Sequence, residues 1–156
     1  AIRIGALPDS TLNARRLGAS HIRVLAAPAY LEKHGLPSTV EDLKTHRTLG
    51  FTAPASLNTW PLRHAGGEGW TVTPSVVASS GETVRHLALS GTGIASLSDF
   101  LTRAEVEAGR LLPVLEDATL HWTQPVWAVF YKQGALAPRV SALVDFLAKR
   151  LQDRLS

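Results

Sequence analysis

The sequence contains no cysteine. This absence excludes disulfide bonds, thiolate zinc sites, iron–sulfur clusters and a cysteine nucleophile. The chain also has no run of apolar residues that approaches the ~18 needed to span a membrane. We therefore expect no membrane partner, and we expect a cytoplasmic location, which agrees with the lack of cysteine.

Metal-binding and catalytic patterns are also missing. The six histidines are never three to five residues apart, so no two of them share a helical face. Ser90 lacks the preceding glycine of a G-x-S-x-G elbow, and Ser80 would lie roughly 9 Å along a helix axis from His86. We expect no metal, no cofactor and no catalytic residue. An enzymatic function remains an alternative interpretation, and a screen for catalytic turnover would test it.

An excess of one charge is likewise absent. Sixteen Lys and Arg residues stand against thirteen Asp and Glu residues, which gives a net charge of +3. The basic residues are scattered as singles and pairs, whereas binding to duplex DNA normally needs a dense basic stripe. We therefore expect that this chain does not itself bind specific DNA.

What is present is the pattern of a mixed α/β domain. The 156 residues are 45% hydrophobic and 19% charged, which is typical of one globular domain with its own core. Short apolar runs alternate with helix signals, and this alternation favours an α/β fold. The predicted strands are residues 2–4, 22–26, 48–51, 72–78, 94–97, 111–115 and 126–131.

Two further segments have a clear pattern. Residues 53–69 are rich in proline and glycine, which predicts a loop. The C-terminal segment predicts a helix that begins at Pro138, because apolar residues recur there at three- and four-residue steps. These apolar residues are Val140, Leu143, Val144, Leu147, Leu151 and Leu155.

The stretch SSGETVRHLALSGTGIASL, residues 79–97, predicts a short helix followed by a strand. Ser79 with Glu82 fits a capping box, and Ser80 is the alternative cap. The first N–H groups of a helix lack internal partners and carry partial positive charge. With two hydroxyls and a glycine lacking Cβ, this start could bind an anion. The residues alone leave open whether it does so or is simply a capped helix.

Six segments, in order, cover nearly the whole chain. The opening segment AIRIGALPDSTLNARRLG is followed by VLAAPAYLEKHGLPSTVEDLKTHRTLGF and by VVASSGETVRHLALSGTGIASLSDFL. The closing segments are GRLLPVLED, PVWAVFY and APRVSALVDFLAKRL. In this order, the six segments resemble the C-terminal effector-binding (substrate-binding) domain of LysR-type transcriptional regulators.

The resemblance implies a fold like that of type II periplasmic binding proteins, with two subdomains around a small-molecule cleft. By this likeness, residues 1–14 would be the crossover from the first subdomain and residues 15–131 the second subdomain. Residues 132–156 would form the C-terminal helix that returns to the first subdomain. The chain begins at Ala1 without methionine, and we expect a fragment from which the helix-turn-helix is absent.

The function implied by the resemblance is to sense a small organic, anionic effector. The regulator would be a homo-oligomer that binds promoter DNA only through the N-terminal domain absent here. The alternative is an extracytoplasmic solute-binding protein of the same fold. The resemblance places these expected effector-binding residues at or near the cleft: Ser79, Ser80, Gly81, Glu82, Thr83, Arg3, Ile4, Gly5, Thr52, Asn58 and Trp60.

Overall fold

A computed structural model of the chain describes residues 1–5, 7, 12–131 and 138–152. The strands are β1 (Ile2–Ile4), β2 (Leu12–Ala26), β3 (Thr48–Phe51), β4 (Thr59–His64), β5 (Gly67–Thr71), β6 (Val76–Ala78), β7 (Ile94–Ser98), β8 (Leu112–Pro113) and β9 (Thr123–Tyr131). The α-helices are α1 (Pro28–His34), α2 (Gly81–Leu89), α3 (Asp99–Glu107) and α4 (Pro138–Gln152). Short 3-10 helices cover Val40–Lys44, Ala55–Asn58 and Glu116–Ala118. Across these residues no helix is long and apolar enough to cross a membrane.

The chain divides into two compact units. The first unit contains Ala1–His21 and Thr123–Ser156, and the second contains Ile22–Trp122. Strand β2 runs from the first unit into the second. The division therefore differs from the expected boundaries, because residues 15–21 and 123–131 pair with each other in the first unit.

The first unit is an antiparallel sheet in the order β1-β9-β2, with α4 packed against it. The buried residues Val144 and Ala148 of α4 contact Leu17, Val126 and Ala128 of the sheet. Leu147 and Leu151 extend this contact as partly buried neighbours. The apolar spacing that predicted the helix therefore also determines which of its faces meets the sheet.

Only part of the apolar stripe of α4 is buried. Leu143 and Phe146 are 55% and 57% exposed, and Val140 is 43% exposed. These three side chains are not covered by the sheet of the first unit. Leu155, the last predicted position of the stripe, lies outside the described residues.

The second unit is built around a mixed sheet. Strand β3 pairs in parallel with both β6 and β7, and β7 pairs antiparallel with the second half of β2. Neighbouring residues of β2 lie in different hydrophobic clusters, with Val24 in one and Leu25 in the other. The same alternation separates Ile94 from Ala95 in β7. Because side chains alternate along a strand, this sheet is covered on both faces.

One predicted element is wrong. Residues 53–69 were expected to form a loop, but they include β4 and the start of β5, which pair as an antiparallel hairpin. Pro61 lies where the register of this pair shifts between Trp60 and Arg63. A proline is tolerated in a strand at such an irregularity because its missing N–H is not needed there. The proline and glycine content therefore concealed the hairpin.

A matched pair of substitutions on α4 tests this packing. We expect Val144→Ala to lower the free energy of unfolding by about 1.5–3 kcal/mol, because Val144 is buried against the sheet. Leu143→Ala should change it by less than about 0.5 kcal/mol, because that side chain is exposed. Urea unfolding followed by circular dichroism measures both values. Equal losses from the two variants would show that α4 packs through a different face.

Candidate functional site at the carboxyl edge of the second-unit sheet

The parallel strands of the second unit end at a common edge. Phe51 pairs with Ala78, and one residue later the N–H of Thr52 donates to the carbonyl of Ala78 at 3.1 Å. Helix α2 follows directly after β6, and α3 follows directly after β7. In open α/β sheets, ligands bind outside the carboxyl ends of the strands. This edge is therefore the candidate site.

Helix α2 begins at this edge with a serine cap. The Oγ of Ser80 accepts a hydrogen bond from the N–H of Thr83 at 3.2 Å, and the two hydroxyls lie 2.9 Å apart. The predicted capping box of Ser79 and Glu82 is wrong, because Ser80 occupies the cap position. Ser79 is the exposed residue that precedes the cap.

The start of α2 has unused hydrogen-bond donors. The N–H of Thr83 donates to Ser80 Oγ and that of Val84 to the Ser80 carbonyl. In the described part of the chain, no partner accepts from the N–H of Gly81 or Glu82. Both groups lie at the positive end of the helix dipole, among side chains that are largely exposed. This arrangement suits an anion or a strongly polar group.

Gly81 lies close to the neighbouring helix α3. A Cβ added at this position would lie 2.8 Å from Cδ1 of Leu101 on α3. The missing side chain thus leaves room for Leu101 of α3 beside the start of α2.

Two further expected residues belong to the fold. The side-chain amide of Asn58 accepts from the N–H of Phe51 at 2.8 Å and donates to its carbonyl at 2.9 Å. Trp60 is 1% exposed in the hydrophobic core of the second unit. The indole of Trp60 is therefore inaccessible to a ligand, and the amide of Asn58 is engaged with the backbone of Phe51.

The other expected residues are divided between the two units. Thr52 is exposed at the carboxyl edge, next to the residues that begin α2. Arg3, Ile4 and Gly5 belong to the first unit. Gly5 is fixed there by its backbone, because its N–H donates to Pro125 and its carbonyl accepts from the indole of Trp127. Its φ of 98° is one that glycine adopts readily.

Sequence reasoning missed an ion-pair network that links α2 to α3. Arg85 donates to the carboxylates of both Glu82 and Glu105, and Arg110 donates to Glu105 as well. Hydrogen bonds from Arg85 hold the pKa of Glu82 below its ordinary value. The pKa of Glu105 is also lowered, mainly by its hydrogen bond from Arg110 and to a smaller extent by Arg85. Glu82 and Arg85 have a helical spacing visible in the sequence, but Glu105 is twenty residues from Arg85.

Other places in the described residues are weaker candidates. A hollow of about 580 Å³ lies beside the last turns of α2, lined in part by Leu89, Arg85 and Arg110. Its arginines already pair with Glu105, so they are not free for a ligand. Within the same residues, no group of three or more His, Asp or Glu side chains could hold a metal ion.

The role assigned to Asn58 can be tested directly. We expect Asn58→Ala to destabilise the chain by about 1–3 kcal/mol, because it leaves the N–H and carbonyl of Phe51 without their partner. Ser56→Ala, at an exposed position in the same 3-10 helix, is the control. Thermal or urea unfolding measures both. Unchanged stability in Asn58→Ala would contradict the structural role.

A second prediction concerns pH. The lowered pKa of Glu105 means that its stabilising contribution is present above its ordinary value of 4.5 and is lost as pH falls through the lower folded value. We expect Glu105→Gln to weaken the dependence of stability on pH between about pH 5 and about pH 3. The control is Glu107→Gln, at an exposed position of the same helix. Urea midpoints across this range provide the measurement, and equal slopes in wild type and Glu105→Gln would refute it.

Comparison with known proteins identifies the family. Residues 1–152 match the model of the LysR substrate binding domain. The HTH-type transcriptional regulator CrgA of Neisseria meningitidis serogroup C (strain 8013) is 46% identical over 155 residues, which is 99% of this chain and 52% of that protein. An HTH-type transcriptional regulator of Xanthomonas campestris pv. campestris (strain 8004) is 34% identical over 159 residues, covering 97% of this chain and 45% of that protein. The solved regulatory domain of CrgA from Neisseria meningitidis matches with a TM-score of 0.90 at 45% identity, over 96% of this chain and 74% of that one.

The chain spans about half the length of the curated relatives it matches. The predicted mixed α/β fold of the type II periplasmic-binding-protein kind is confirmed by these matches. The relatives are transcriptional regulators, which favours the regulator interpretation over the solute-binding alternative. On the strength of the family match and of these relatives, the chain belongs to the LysR substrate-binding domain family.

Proposed function

We propose that this chain senses a small organic anion for a bacterial transcriptional regulator in the cytoplasm. The observation that carries the proposal is the start of α2. There, the unpaired N–H groups of Gly81 and Glu82 lie at the carboxyl edge of parallel strands. An anionic group of the effector accepts from these donors and is stabilised by the helix dipole.

The relatives support the regulatory part of this proposal. They are named as HTH-type transcriptional regulators, and each is about twice as long as this chain. We infer that promoter DNA is bound by a helix-turn-helix outside these 156 residues. The basic residues within them form no concentrated stripe.

The proposed mechanism is binding without chemistry. An effector acts only to the extent that it binds one conformation better than another. The preferred conformation would change how a homo-oligomer of the regulator is arranged on its promoter. The two free donors of α2 then supply one part of the effector affinity, and other contacts supply the remainder.

Ser80 and Thr52 fit supporting roles at this site. Ser80 keeps the first turn of α2 closed through its bond to Thr83, so the free donors stay in a fixed orientation. Thr52 presents an exposed hydroxyl from the neighbouring strand end. A carboxylate bound at α2 would therefore meet both backbone and hydroxyl donors.

A charge-altering pair at Ser80 tests this proposal. A thermal-shift screen of small carboxylates on the wild-type chain first selects a ligand, because specific binding raises the apparent stability. Ser80→Asp and Ser80→Asn both keep a good helix cap, but only the aspartate adds a negative charge at the donors. We expect Ser80→Asp to weaken binding of the selected carboxylate by at least about threefold relative to Ser80→Asn.

Isothermal titration calorimetry measures both affinities, and circular dichroism confirms that both variants fold. If the two folded variants bind the carboxylate equally well, the start of α2 is only a capped helix and the proposal fails.

A further inference from the structure

Glu82 presents a difficulty for an anion site at α2. It is the acidic residue in the first turn of this helix, and its side chain is 56% exposed. A carboxylate so near the helix start would repel a bound anion, and it is itself attracted to the positive end of the helix dipole. The position of this carboxylate therefore affects whether the donors of Gly81 and Glu82 are available.

Both oxygens of Glu82 are engaged further along α2. The Nε of Arg85 donates to Oε2 at 3.1 Å, and Nη2 of Arg85 donates to Oε1. Nε2 of His86 lies 3.2 Å from Oε1. Because these partners come three and four residues later in the helix, they draw the carboxylate toward the second turn.

Arg85 is itself held from the neighbouring helix. Its side chain is 16% exposed, and Nη1 donates to Glu105 of α3, whose side chain is 11% exposed. Arg110 holds the other oxygen of Glu105. An exposed pair within one helix contributes little because both side chains lose freedom when they meet. Here the arginine is already fixed by α3, so less freedom is lost when it binds Glu82.

We propose that Arg85 is a positioning residue for the anion site: anchored on Glu105, it holds the Glu82 carboxylate away from the free N–H groups at the start of α2. The inference rests on the proposed function of that helix start. Without Arg85, the Glu82 side chain keeps only its contact with His86, and its charge is no longer balanced by an adjacent guanidinium. The site should then reject anions that it otherwise accepts.

The test compares Arg85→Gln with the double variant Arg85→Gln/Glu82→Gln. Succinate and inorganic sulfate are the probes. Binding at the site is measured by NMR titration of the ¹⁵N-labelled 156-residue chain. The chemical shifts that report it are those of the backbone amides at positions 81 and 82. We expect Arg85→Gln to weaken binding of either anion by about twofold to fivefold. The double variant should restore it to at least the wild-type affinity, because the repelling charge is gone.

Arg63→Gln is the matched control, since it also removes an arginine from a surface ion pair, with Glu68 in the hairpin. It should leave succinate binding unchanged. If Arg85→Gln unfolds the chain, Glu105→Gln takes its place. That variant frees Arg85 from α3 and should weaken binding in a manner that Glu82→Gln again reverses.

The outcomes separate this inference from the proposed function. If Ser80→Asp leaves anion binding unchanged, the helix start is not the site and the proposed function fails. If Ser80→Asp weakens binding but Arg85→Gln does not, only the positioning role is overturned. A loss in Arg85→Gln that Glu82→Gln does not reverse would likewise overturn it, because a purely structural loss gives no such rescue.

Discussion

The parallel pairing of β3 with both β6 and β7 is the constraint on which the candidate site depends. It directs three strand ends to one edge, so the residues after β3 and the start of α2 meet there. Close approach of the backbone is needed for this pairing. A Cβ on Gly93 would lie 2.5 Å from the carbonyl oxygen of Arg47, which immediately precedes β3. Asn58 then fixes the end of β3 by bonding both backbone groups of Phe51.

Electrostatic balance is the second feature that the edge requires. The partly buried carboxylate of Asp99, in the first turn of α3, is paired with Arg23 at 3.1 Å and Arg103 at 3.2 Å. Glu82 and Glu105 are paired with arginines in the same way. The carboxylate of Glu82, in the first turn of α2, therefore opposes the positive end of the helix dipole less than an unpaired carboxylate would.

The errors of sequence reasoning have a common cause. A polar residue and an aromatic residue in a loop-like segment, such as Asn58 and Trp60, are compatible with a ligand cleft. The same residue types suit a hairpin that packs on a sheet, where the amide bonds to the backbone and the indole fills the core. Residue type and local spacing do not distinguish these roles, because burial depends on contacts between distant parts of the chain.

The sequence by itself determined the α/β class, the strand β3 from Thr48 to Phe51, the start of α4 at Pro138 and the helix after Ser80. Each of these follows from local periodicity, capping or the fixed φ of proline, which act within a few residues. Only the tertiary structure decided that Gly81 packs against Leu101, that Trp60 is buried and that Glu105 anchors Arg85. Those contacts join residues that are distant in the sequence, and their formation depends on how the strands pair and how the helices pack across them.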